Sequence, residues 1–380
     1  MKRVLHLGKF FPPVTGGMER VLQTLCQVSA GLVESHVLVT HTGRDTVRED
    51  VTIAGLDGYP SAAVHVTRVG TLGAVGSVHV APGLASELRR AQADLIILHE
   101  PNPWALLSYA ITRPDVPLAI WYHSDVVRPA LQYALFYAPM AKIAYSRAER
   151  LVVSSPTLGE HAQALKPYRD RVRVIPFGID PGEWSMPACE RELSAPFVLF
   201  AGRHVPYKGV DVLLRALATM AIPAVIAGDG PSRRGWETLA HGLGVTDRVR
   251  FEGEVSAARL RALMHGCAVF VLPSVTRAEA FGYVQLEAMA CGKPVVSTDV
   301  PSGVSWVNQH ERTGLVVPAG DVRALADALS TLMGSAELRA RMGEAGKQRV
   351  EREFTLTMLR ERMADLYEEF SVLEAERAAC

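Results

Sequence analysis

Cysteine is scarce and scattered: Cys26, Cys189, Cys267, Cys291 and Cys380 are odd in number, with no pair at metal-binding spacing and no disulfide framework. That usage fits a reducing compartment, so the expected location is cytoplasmic. Net charge is absent too, because 40 Lys and Arg balance 40 Asp and Glu. Without a broad phosphate-attracting field, nucleic acid is not expected as the main partner. No stretch reaches the roughly 20 apolar residues of a membrane span. The opening run from Met1 to Gly8 is short and apolar, a buried strand rather than a secretory signal. There is no internal repeat or low-complexity tract, no Asp-x-Asp pair and no His/Cys cluster in the sequence.

What is present is alternation. At 380 residues the chain exceeds what one core supports, so two domains are expected, and 48% hydrophobic residues give both something to bury. Short apolar runs at 4–8, 37–41, 95–98, 118–122, 151–154 and 172–176 alternate with helical patterns. A second set follows at 197–201, 224–227, 249–251, 269–272 and 295–297. Strands without polar alternation, separated by helices, build parallel sheets covered on both faces. The fold class is therefore α/β, two Rossmann-like doubly wound domains facing a cleft at the carboxyl ends of their strands. The boundaries read as an N-terminal domain over 1–180, a hinge over 181–196, a C-terminal domain over 197–354 and an amphipathic, charge-rich helix over 355–380.

Residues 279–294 are the most informative segment. Glu279 and Glu287 flank Gly282, and the helix expected to open near Gly282 stops at Gly292 with Pro294 beyond. On one continuous helix the two carboxylates would lie about 80° and roughly 12 Å apart, too far to serve one small group. Glu279 therefore belongs to the preceding loop and Glu287 to the helix. The backbone N–H groups near Phe281 to Val284 form a partly positive terminus suited to phosphate. A ligand with a phosphate between two hydroxylated ends fits this spacing, and sugar nucleotides have that shape. Arg203 and Lys208 lie between an apolar strand and a helix, where two cations suit a diphosphate and the charge that builds on it as a leaving group.

The 279–287 segment resembles the Glu-x7-Glu motif of retaining GT-B glycosyltransferases, family four, and Gly202-Arg203 with Lys208-Gly209 is similar to that family's phosphate clamp. The resemblance implies that Glu279 holds the donor sugar's hydroxyls, that Glu287 holds the ribose, and that the backbone at Phe281, Gly282 and Tyr283 lies near the distal phosphate. His123, in Trp121-Tyr-His-Ser-Asp125, ends an apolar strand and resembles the family's active-site histidine, a sugar-positioning group rather than a base. Ser124 departs from the glycine that many relatives carry there. Gly16 and Gly17, after the first strand, allow positive φ and close backbone approach, and their position implies donor contact. This turn is neither a Gly-x-Gly-x-x-Gly fingerprint nor a P-loop. Glu254 and Val255 look like the loop that meets the nucleotide base, and the stretch from Pro301 to Gln309 leans toward a GDP-mannose type of donor. The last helix is expected to cross back to the N-terminal domain.

The resulting reading is a retaining hexosyltransferase. The donor is a nucleotide diphosphate sugar, and the acceptor is a glycan or a polyprenyl- or other lipid-linked group in surface polysaccharide or glycolipid synthesis. Catalytic roles fall on His123, Arg203, Lys208 and Glu279. No metal or other cofactor is expected, because Arg203, Lys208 and the helix terminus can supply the positive field. Residues 128–150 combine Arg128, Lys142, Arg147 and Arg150 with Tyr133, Phe136, Tyr137 and Tyr145, a mixture that suits peripheral contact with the inner membrane face, although a helix packed on its own domain explains the aromatics as well. Two rival readings remain: a nucleotide-sugar epimerase and a catalytically silent nucleotide-sugar-binding protein.

Overall fold

The computed structural model describes residues 1–14, 16–56, 58–75, 78–125, 133–185 and 196–379. The chain divides into two compact units, the first comprising 1–154, 162–177 and 356–380, the second 155–161 and 178–355.

Unit 1 is built on an eight-stranded sheet of β1 (Arg3–Leu7), β2 (Glu34–His41), β3 (Val47–Ile53), β4 (Ala62–Gly70), β7 (Leu95–Glu100), β8 (Leu118–Tyr122), β9 (Arg150–Val153) and β10 (Val172–Val174), in the order β10-β9-β8-β7-β1-β2-β4-β3. Separately, β5 (Ala74–Val75) pairs antiparallel with β6 (Val78–His79). Every pairing in the large sheet is parallel except β3 with β4. The inner strands β7 and β8 are buried at every position, which is why residues 95–98 and 118–122 read as apolar runs. β3 gave no such signal: its residues Val47 to Asp50 are exposed on the sheet edge.

The amphipathic helix Gly17–Val28 packs on this sheet, and the C-terminal helix Leu356–Ala379 packs on it in turn. Arg360 donates to the carbonyls of Val28 and Ala30 at 2.6 and 2.8 Å, satisfying acceptors that the helix end leaves open. Ser29 Oγ meets Tyr367 Oη at 2.8 Å, and Arg150 pairs with Glu369 at 2.8 Å.

Unit 2 carries a six-stranded, wholly parallel sheet of β11 (Val198–Ala201), β12 (Ala224–Ala227), β13 (Val249–Gly253), β14 (Val269–Leu272), β15 (Val295–Thr298) and β16 (Gly314–Val317), in the order β13-β12-β11-β14-β15-β16. β11, β12, β14 and β15 are buried throughout. Residues 181–185, at the head of the stretch read as a hinge, instead form a short helix that packs within unit 2 and buries Trp184; an apolar anchor of that size is not linker chemistry. Residues 186–195 lie outside the described residues.

Of the basic and aromatic residues between 128 and 150, Tyr137 and Tyr145 turn inward, donating to Glu100 Oε2 at 2.5 and 2.8 Å. Phe136 and Lys142 are exposed, as is Leu135 beside them. Arg147 donates to Tyr109 Oη, and Arg150 is engaged by Glu369. Arg128 and the side chain of Tyr133 lie outside the described residues. Half of the aromatic group therefore belongs to the core of unit 1. Among the described residues, no helix is long and apolar enough to cross a membrane.

Glu100 is fully buried at the end of β7, its Oε1 has no partner among the described residues, and burial pushes its carboxyl up from 4.5 to about 7. Folded chains therefore keep a proton that unfolded chains have lost. The stability this adds is complete below about pH 4.5 and is lost as pH rises through about 7. Between pH 5 and 8 the wild type should lose on the order of 3 kcal/mol from this group. Glu100→Gln should flatten that part of the profile; denaturation midpoints that fall equally in both proteins would refute the assignment.

Candidate active site

In unit 2 the candidate residues sit on loops at the carboxyl ends of four neighbouring strands. Gly202 to Lys208 follow β11, the Gly228–Gly230 turn follows β12, Glu254 and Val255 follow β13, and Ser274 to Glu279 follow β14. Backbone hydrogen bonds tie these loops together: Gly202 to Ala227, His204 to Asp229, Gly228 to Gly253 and Val275 to Tyr207, at 3.1, 2.8, 2.7 and 2.8 Å. Gly209 closes the turn after Lys208 with φ at 68°, and a side chain there would strike the Pro273 carbonyl at 2.0 Å. Only glycine both adopts that conformation without strain and lets the β11 and β14 loops touch.

The result is a buried ion pair. Lys208 Nζ lies 2.5 Å from Glu279 Oε2, with the two side chains only 11% and 10% exposed. Ser274 Oγ donates to the same carboxylate oxygen at 3.3 Å, and Ser302 Oγ fixes the Glu279 backbone carbonyl at 2.6 Å. Burial works against the charge on Lys208, but Glu279, aided by Tyr207, outweighs it and holds the ammonium above its ordinary pKa. Arg203, five positions earlier, is exposed and has neither an ion-pair nor a hydrogen-bond partner among the described residues. One cation is thus clamped and one is available.

The helix expected near Gly282 begins at Val284 and runs to Ala290, with Glu287 in it and 2% exposed. Gly282 is left-handed at φ 72°, which delays the helix by two residues. Phe281 is buried, and Tyr283 Oη donates to the Gly178 carbonyl at 2.5 Å. Glu254 is exposed and Val255 half-buried, two strands from Lys208. The Asp229 turn is engaged by Arg233 at 2.8 Å.

In unit 1, His123 follows β8 and is 7% exposed. Its Nε2 meets His99 Nδ1 at 2.9 Å, and its backbone N–H donates to the Glu100 carbonyl at 2.9 Å. The ring stacks on Phe177, with centroids 6.1 Å apart. Burial pushes its pKa down to about 3, so at neutral pH it carries one ring proton and no charge. At Gly16 and Gly17 the expected positive φ is not found: Gly16 is extended at φ 178°, and Gly17 opens the helix. A side chain at Gly16 would lie 2.2 Å from Glu19 Oε2. Glycine is there to admit the buried Glu19 carboxylate, which favours a helix N-terminus. Glu19 was missed in the sequence because it looked like an ordinary helix-surface residue.

Two family models match the chain: Glycosyltransferase Family 4 over residues 15–183 and Glycosyl transferases group 1 over residues 188–349. D-rhamnosyltransferase WbpZ of Pseudomonas aeruginosa is 31% identical over 363 residues, covering 93% of this chain and 92% of that protein. The chain belongs to the bacterial GT-B glycosyltransferases. O-antigen chain mannosyltransferase C of Escherichia coli is 29% identical over 377 residues, covering 96% of this chain and 98% of the relative. In fold, the glycosyltransferase matches sucrose-phosphate synthase of Thermosynechococcus elongatus at TM-score 0.78 and 21% identity, covering 98% and 100% of the two chains.

The glycosyltransferase also gathers a histidine-containing group that sequence spacing concealed. Glu34, His36 and His65 bring three ligand atoms within 4.8 Å of one another near the amino ends of β2 and β4. They meet because the strand register sets His36 beside His65. His36 lies 2.8 Å from Glu34, and His65 lies 2.5 Å from Asp50. This group could hold a cation, but it lies at the opposite end of the unit 1 sheet from His123.

Removing one member of a buried ion pair strands the other. Lys208→Met should destabilise unit 2 by about 3 kcal/mol or more, and adding Glu279→Gln should restore more than half of that. Urea denaturation of the two variants checks it; a double variant no more stable than the single one would deny the coupling.

Proposed function

We propose that this glycosyltransferase moves a hexosyl group from a nucleotide diphosphate sugar to a glycan or lipid-linked acceptor in bacterial surface polysaccharide or glycolipid synthesis, with the anomeric configuration retained. The observation that carries the reading is the pairing of a clamped Lys208–Glu279 contact with an unengaged Arg203 on the same loop system. A carboxylate fixed by a lysine and a serine accepts hydrogen bonds from sugar hydroxyls. The ammonium and the guanidinium offset the charge that gathers on the departing diphosphate, which would otherwise require another source of positive field.

Glu287 takes the ribose, the turn at Phe281, Gly282 and Tyr283 the distal phosphate, and Glu254 with Val255 the base. His123 gives the donor sugar a hydrogen bond. Gly16 and Gly17 make the donor contact beside the buried Glu19 carboxyl. In the front-face route that we favour, the donor phosphate helps deprotonate the acceptor hydroxyl as the glycosidic bond breaks. No metal enters this reading. A GDP-mannose type of donor is supported by relatives named for mannosyl transfer, among them a GDP-mannose-dependent phosphatidylinositol monomannoside mannosyltransferase of Mycobacterium tuberculosis that is 34% identical over 231 residues. The exposed Leu135, Phe136 and Lys142 favour a lipid-linked acceptor met at the inner membrane face.

Thermal denaturation with GDP, UDP and their sugars tests the donor. GDP at 100 times its dissociation constant should stabilise the protein by about 2.7 kcal/mol, whereas stabilisation by UDP alone would replace the GDP assignment. Arg203→Ala should lower turnover by about 100- to 1,000-fold with the fold intact; near-normal turnover removes Arg203 from the chemistry. Chelator should leave turnover unchanged, and its complete loss would refute metal independence.

A further inference from the structure

His123 is the outer end of a buried chain of three imidazoles. His6 on β1, His99 on β7 and His123 after β8 lie on neighbouring strands of unit 1. His6 Nδ1 meets His99 Nε2 at 3.1 Å, and His99 Nδ1 meets His123 Nε2 at 2.9 Å. The three residues are 0%, 2% and 7% exposed, and the Trp121 ring lies against both His99 and His123, with centroids 6.2 and 6.4 Å away. Burial holds all three far below the ordinary histidine pKa, so each ring carries a single proton at neutral pH.

Three neutral imidazoles joined by two hydrogen bonds have only two self-consistent arrangements. In one the N–H groups point outward, from His6 to His99 to His123, and the remaining proton sits on His123 Nδ1. In the other they point inward, and the remaining proton sits on His6 Nε2. The two ends are not equivalent. His6 Nε2 is buried with no partner among the described residues. An orphaned N–H in a protein interior is rarer than an orphaned acceptor, so the inward arrangement places its spare proton where nothing receives it. His123 Nδ1 also has no partner among the described residues, and its residue keeps the only appreciable exposure of the three.

We infer that His6 and His99 are positioning residues that set His123 as an Nδ1–H donor, directed at an oxygen lone pair of the sugar being transferred. What the N–H meets rests on the transferase reading; the tautomer does not. A ring locked this way cannot take the acceptor's proton through Nδ1, which already bears one. Its contribution is a fixed hydrogen bond that needs no reorganisation when the sugar arrives.

The test is nitrogen NMR of the full-length protein with 15N-labelled histidine, which distinguishes protonated from bare ring nitrogens. The expected result is a protonated Nδ1 and a bare Nε2 on His123, with a protonated Nδ1 on His99. A protonated Nε2 on His123 overturns the inference. His99→Phe keeps an aromatic ring but removes the donor. It should abolish the single-tautomer signature of His123 and lower kcat about tenfold, with the donor KM changed less than about twofold. An unchanged His123 spectrum in a folded His99→Phe variant would equally overturn it. Wild-type protein with the expected tautomer but no glycosyl transfer would leave the relay standing and defeat the function. Transfer with the opposite tautomer would do the reverse.

Discussion

A lysine ammonium and a glutamate carboxylate, 2.5 Å apart and almost out of reach of water, are the contact around which unit 2 arranges its chemistry. Either charge alone would be costly there, and each offsets part of the other's desolvation. They meet because β11 and β14 are neighbours in a parallel sheet, so the loops that leave the two strands emerge side by side. Gly209 removes the side chain that would hold those loops apart. The pair sets a carboxylate beside an ammonium, which on the proposed reading meet sugar hydroxyls and phosphate. Arg203, left without a partner among the described residues, adds a cation that can engage an incoming anion without first breaking a bond.

Much of this was legible in the sequence because parallel strands leave a plain signature. Leu118–Tyr122, Ala224–Ala227 and Val269–Leu272 are strands over the same residues that their apolar runs marked. Each is buried on both faces, so no polar alternation blurred the signal. The antiparallel edge strand Val47–Ile53 was not legible for the opposite reason, since four of its first residues face solvent and carry Arg, Glu and Asp. The 181–185 segment looked like linker because Pro181 and Gly182 punctuate it; the buried Trp184 decides otherwise, and one aromatic residue makes no period.

At the candidate site the sequence marks single residues and not their pairing. Lys208 and Glu279 each stood out as a loop residue after a strand, but sequence order cannot show that one neutralises the other. Glu19 carries no mark in the sequence because its closeness to Gly16 is a spatial relation. His6 lies inside an apolar run and His99 directly after one, where a lone histidine carries no functional mark. Only the order β8-β7-β1 brings them into line with His123. What the sequence withheld was in each case a contact between elements distant along the chain.

The central claim is that the protein couples release of a nucleoside diphosphate to glycosylation of an acceptor. The most direct measurement follows both products together when GDP-mannose is supplied with a membrane-extracted lipid-linked acceptor. The account expects one GDP released for each mannosyl group joined to the acceptor, in the donor's own anomeric configuration. An altered sugar still attached to its nucleotide, or binding of the donor with no GDP released across a broad set of donors and acceptors, would contradict it.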